Sequence, residues 1–127
     1  MDRAASGARW RSPTGVAGVT WLLRKGDVLA AADVVDDWVG RSKGLLGRDG
    51  YDGAMVLPRT RSVHTVGMRF PIDVAFCDPD LLVLDVARVP PLRLTRPRRR
   101  CRTVIEAEAG AFERWGLRVG DQLELRG

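Results

Sequence analysis

The chain holds one histidine, two cysteines and two lysines among its 127 residues, and few of its side chains are aromatic. One His64, a distant pair of cysteines with no CxxC spacing, and scattered carboxylates offer no compact ligand set of the type zinc requires, so no metal is expected. Cys77 and Cys101 are expected to be free thiols of a reducing compartment rather than a bridge. The longest apolar stretch, Gly15 to Leu23, falls far short of the roughly 18 residues of a spanning helix. It also contains Thr20 and Trp21 and lacks a small-residue cleavage site before Arg24 and Lys25. No signal peptide or membrane span is therefore expected, and the location expected is the cytoplasm. The glycines form neither a G-x-x-x-x-G-K-[ST] nor a G-x-G-x-x-G pattern, and no G-x-S-x-G elbow occurs. These absences argue against the phosphate-cradling loops of common nucleotide folds and against a serine nucleophile, and no cofactor is expected.

Charge is concentrated. Arg93, Arg96, Arg98, Arg99, Arg100 and Arg102 lie within ten residues, and without them the formal charge of +5 becomes −1. The basic character thus belongs to one segment rather than to a global nucleic-acid-binding surface. That run reads either as a solvated loop or as a contact for an acidic protein, RNA or an anionic membrane surface; it carries no interleaved aromatics for base stacking.

The length fits one domain. Residues 1–14, with Pro13 and no hydrophobic period, read as a flexible N-terminal arm, leaving 15–127 as a single globular domain. Val16 to Arg24 and Asp27 to Ala32, around Lys25-Gly26, predict a hairpin. From Asp33, a plausible N-cap, the residues Val35, Trp38, Val39, Ser42, Leu45 and Leu46 recur at helical spacing and predict the main helix near residues 33–47. Short strands follow at Ala54–Leu57, Ser62–Phe70, Ile72–Cys77, Leu81–Arg88 and Thr103–Glu108. A short helix near residues 110–116, stopped by Gly116, leads to a last strand at Asp121–Leu125. The fold class is mainly β (β-rich α+β): a compact β sandwich or barrel of short strands with these two helices.

Arg41-Ser-Lys-Gly44-Leu45-Leu46-Gly-Arg48, Gly53-Ala-Met55, His64-Thr65 with Met68, Pro71-Ile72-Asp73-Val74, and Gly116-Leu-Arg-Val-Gly120-Asp121 occur in one order. This series resembles the bacterial and archaeal family known as domain of unknown function 192, over roughly residues 28–125. The resemblance implies a compact mainly β sandwich or barrel with one or two helices. Two segments depart from the family pattern. Val66-Gly-Met68-Arg-Phe70 stands where many relatives have a Trp-Met-Lys-Asn-Thr type sequence, and Asp80-Leu81-Leu82 stands in place of a glycine hairpin. Many relatives also carry a secretion signal or lipoprotein leader, which is not copied to this chain.

Five residues are candidates for a site. In an extended 62–70 segment His64 would share an apolar face with Val66, Met68 and Phe70, with Val63, Thr65, Gly67 and Arg69 opposite. It is either a satisfied core histidine or a pocket residue that binds or protonates a ligand. Asp73, in an otherwise apolar strand, needs a partner such as His64, Arg41 or Arg48, and is either a structural carboxylate or a base. Arg41 and Arg48 are two helical turns apart and suit a carboxylate or phosphate. The leading expectation is a non-enzymatic binding or accessory domain that gathers Arg41, Arg48, His64, Thr65 and Asp73 around a small polar or anionic ligand. One alternative is an enzyme using a His64/Asp73 acid-base pair. Another is a module that binds an acidic protein or nucleic acid through Arg96, Arg98, Arg99, Arg100 and Arg102.

Overall fold

Lys25 and Gly26 both take positive φ, 52° and 84°, the combination that matches a two-residue turn to the right-handed twist of its strands. They join β1 (Thr20–Arg24) to β2 (Asp27–Val34) with Arg24 opposite Asp27. The computed structural model describes residues 19–35 and 50–127. Beyond the hairpin it contains β3 (Ala54–Pro58), β4 (Ile72–Cys77), β5 (Val83–Val89), β6 (Thr103–Glu108) and β7 (Leu123–Arg126), with a short helix, α1 (Ala111–Trp115), before β7.

The strands form one sheet in the order β5-β4-β6-β3-β2-β1-β7. Each neighbouring pair is antiparallel except β2 and β3, which run parallel with Asp33 beside Met55. The two ends of that order are stitched together. Leu82 bridges Gln122, the Val83 N–H donates to the Asp121 carbonyl at 2.9 Å, and the Leu123 N–H donates to the Leu81 carbonyl at 3.0 Å. The sheet therefore curls into a half-barrel.

Both faces are covered, which is why β4 is buried at every position. Alternation divides the strands: Val56, Ala75, Ile105 and Ala107 join Ala111 and Phe112 of α1 on the helix side. Met55, Val74, Phe76 and Val104 pack on the other side beneath Val63, Met68, Phe70 and Cys101 from the long loops. Gly116, at φ 64°, ends α1: its N–H donates to the Glu113 carbonyl and the Leu117 N–H to the Phe112 carbonyl, a Schellman pair.

Three expectations need correction or placing. Asp33 is not an N-cap, because it and Val34 continue β2 alongside β3; the rest of the expected 33–47 helix, like the 1–14 arm, lies essentially outside the described residues. Ser62–Phe70 is not a strand. Only His64 pairs, with Leu94, and Val66-Gly67 turns the chain, with Gly67 at φ 86° and the Met68 N–H donating to the Thr65 carbonyl. Its alternation is accordingly reversed at the start: Val63 and Thr65 are buried while Val66 is 57% exposed.

Candidate functional site

Asp73 lies on the helix side of β4, where burial obliges its carboxylate to find partners. Oδ1 accepts from Arg88 Nε at 3.0 Å, and Oδ2 accepts from the Gly110 and Phe112 backbone N–H groups at 2.9 and 3.2 Å. Gly110 has no side chain to cap α1, so Asp73 performs that task from a strand distant in sequence. Among the described residues its ion-pair partner is Arg88, directly across the β4–β5 register.

Thr65, fully buried, is a second structural polar group. Its hydroxyl donates to the Pro90 carbonyl at 2.7 Å and accepts from the Arg93 N–H at 2.9 Å, holding the 59–71 and 90–102 loops together. His64 is half-buried on the same flap, which covers the side of the sheet opposite Asp73. Its flap neighbours Val63, Met68 and Phe70 pack on the face of the sheet opposite the one from which Asp73 meets α1. Arg41 and Arg48 lie outside the described residues. Among the described residues, no three His, Cys, Asp or Glu side chains converge as a metal would require.

What the fold does assemble is an arginine face. Residues 59–72 contain Arg59, Arg61 and Arg69 and no acid; residues 86–105 contain seven arginines and no acid. Backbone bonds lace these two runs edge to edge: Thr60 N–H to the Arg102 carbonyl, Arg98 N–H to Arg61, Thr95 N–H to Val63, and Thr65 N–H to Arg93. Arg98 is tied down, its guanidinium 3.9 Å above the Phe76 ring and donating to Asp85 Oδ2 at 3.0 Å. Arg102 donates through Nη1 to the Arg99 and Cys101 carbonyls. Arg61, Arg96, Arg99 and Arg100 form no ion pair among the described residues. Arg61, Arg99, Arg100 and Arg102 line a depression of about 520 Å³ with Asp78 and Pro79. Asp78 Oδ1 already accepts from the Asp80 and Leu82 N–H groups of its own turn. Like charges gathered around one depression repel one another, at a cost that falls off with their separation. An anion placed between them turns that cost into attraction.

Sequence reasoning found Arg98, Arg99, Arg100 and Arg102 from their density and missed Arg61, although the acid-free 59–72 run was a usable signal. It also missed Glu106, fully buried in β6 between Met55 of β3 and Val74 of β4.

Both cysteines are buried free thiols, on opposite faces of the sheet. Burial, with the nearby Cys101 and Asp78 adding to it, pushes the Cys77 thiol up from 9.0 to about 12. Burial also raises Cys101. Below about pH 9 Cys77 is protonated folded or unfolded; between 9 and 12 only the unfolded chain releases its proton, so stability falls as pH rises through that window. Urea titrations from pH 8 to 11 should show a steeper alkaline loss for the wild type than for Cys77→Ala; parallel curves would refute the assignment.

A mainly β domain with a curled seven-stranded sheet and one arginine-rich face is the class these observations define. The chain belongs to the domain of unknown function 192 family, described as an uncharacterised ACR, whose model matches residues 21–125. It is 36% identical over 94 residues to a UPF0127 protein of Pyrococcus furiosus, covering 70% of this chain and 81% of that one. A UPF0127 protein of Pyrococcus abyssi is 31% identical over 97 residues, with 72% and 83% covered. The fold is similar to that of a Sinorhizobium meliloti protein proposed to be a transcription regulator, with a TM-score of 0.68, 23% identity, and 84% and 91% of the chains covered. It is also similar to a Novosphingobium aromaticivorans protein of unknown function, with a TM-score of 0.66, 19% identity and 98% of each chain covered.

Proposed function

We propose that this domain is a non-enzymatic binding or accessory module that holds a phosphate-type anion in the depression formed by Arg61, Arg99, Arg100 and Arg102. The observation that carries this reading is the convergence of four guanidinium-bearing residues on one depression whose only acid, Asp78, is engaged in its own turn. Guanidinium forks suit phosphate oxygens, and their charge is retained at any physiological pH. The earlier pocket of Arg41, Arg48, His64, Thr65 and Asp73 receives less support, since Thr65 and Asp73 spend their polar atoms on the fold. An acid-base pair of His64 and Asp73 is likewise less supported, because both Asp73 oxygens are engaged by Arg88 and the start of α1. The free thiols fit a cytoplasmic placement.

Inorganic phosphate and pyrophosphate should stabilise the wild type against heat, by about 2.7 kcal/mol at 100 times the dissociation constant. The triple variant Arg61→Ala/Arg99→Ala/Arg100→Ala should keep its unfolding midpoint without ligand and lose that gain. A gain of equal size in the triple variant, or none in the wild type, rules the reading out.

A further inference from the structure

The flap that carries the arginines also holds three of the largest exposed apolar side chains among the described residues. Val66, Leu92 and Leu94 are 57%, 68% and 77% exposed. They are neighbours in space: Leu94 bridges His64, and the Leu92 N–H donates to the Thr65 carbonyl at 3.2 Å. Scattered exposed leucines are ordinary. These are not, for two reasons. Leu92 sits at φ 61°, a left-handed conformation that a leucine adopts only at an energetic cost and that glycine or asparagine would take more readily. The fold therefore strains its backbone at the very residue that pushes an apolar side chain into water. The second reason is their setting, since Arg93 and Arg96 flank them and neither run of the flap contains an acid.

We infer that this tip docks on an anionic lipid bilayer, with Val66, Leu92 and Leu94 entering the headgroup region and the arginines contacting lipid phosphates. The inference rests on the same arginine face as the phosphate reading and assigns the source of the phosphate. Apolar tips beside cations are the arrangement that inserts into an anionic interface, where each basic residue adds attraction that salt weakens. Single-stranded nucleic acid suits the face less well, because the aromatic rings beneath it, Phe70 and Phe76, are buried and offer no stacking platform.

The test is co-sedimentation of the full chain with phosphatidylcholine vesicles, with and without phosphatidylglycerol, beside a fluorescent single-stranded oligonucleotide. Pelleting should require phosphatidylglycerol and fall as salt rises. Leu92→Gly is the informative variant. It should melt at the same temperature or higher, since glycine relieves the left-handed strain, while binding vesicles roughly tenfold more weakly through the lost leucine. Arg93→Ala/Arg96→Ala should also weaken vesicle binding, leaving phosphate stabilisation at the Arg61 depression unchanged. Unchanged vesicle binding by Leu92→Gly/Leu94→Ser overturns the inference, as does equal binding to neutral vesicles or binding to the oligonucleotide alone. Phosphate stabilisation without any vesicle binding overturns the bilayer inference and leaves the phosphate reading standing; loss of both refutes both.

Discussion

Asp73→Ala is expected to remove about 2–4 kcal/mol of folding stability, because it takes away a helix cap and strands a buried polar cluster at once. Two backbone N–H groups at the start of α1, Gly110 and Phe112, lose their acceptor. A five-residue helix has no reserve of internal hydrogen bonds to offset that loss. Arg88 loses its partner as well, but its side chain is 58% exposed and water replaces the carboxylate. Arg88→Ala should therefore do much less harm than Asp73→Ala, although both delete the same ion pair. Asp73→Asn, which keeps an acceptor of the same shape, should fall between them. Urea unfolding of the three variants separates these cases, and an Asp73→Ala loss within about 0.5 kcal/mol, the scatter of a surface change, would refute the capping role. Phosphate binding by a still-folded Asp73→Asn should be unchanged, since the arginine depression is lined by other elements.

Phe76→Ala is expected to cost about 3–5 kcal/mol, the range for emptying an aromatic from a closed core. Phe76 is fully buried among Val74, Val104 and the loop residues, so little can collapse into the space. The ring is also the floor on which Arg98 lies, an arrangement worth about 0.5–2 kcal/mol when partly desolvated. A double-mutant cycle of Phe76→Leu and Arg98→Ala should accordingly show coupling of at least about 0.5 kcal/mol. Additive effects would mean that Arg98 is held by Asp85 alone. Arg98 thereby fixes the middle of the arginine run and leaves Arg99 and Arg100 for the proposed phosphate contact.

β4 and β6 were legible to the residue: Ile72–Cys77 is a short apolar run bounded by Pro71 and Asp78-Pro79, and Thr103–Glu108 is rich in β-formers. The Lys25-Gly26 turn and the Gly116 stop were equally plain, since positive φ and helix termination are local demands that particular residue types meet. Asp33 misled because N-cap chemistry is also strand-compatible chemistry, and the parallel pairing with Met55 decided the matter. The 62–70 segment misled for a related reason. Its apolar residues suit an alternating strand, yet its partner supplies only one bridge, and the side-chain bonds of Thr65 and Thr95 hold it instead.

For the candidate site, Arg98, Arg99, Arg100 and Arg102 were visible as charge density, whereas Arg61 entered only when its carbonyl met the Arg98 N–H. Asp73 was recognised as a buried carboxylate in need of a partner, but the partner lay across a register that no local signal encodes. Short-range physics, in turn residues, capping glycines, apolar runs and the clustering of like charge, is carried by neighbours along the chain, and so the sequence alone determined the first hairpin, β3, β4, β6, the short helix and the basic segment. Which acid meets which cation, which loops lie edge to edge and which leucines are left facing water depend on contacts between residues far apart in sequence, and only the closing of the sheet into a half-barrel decided them.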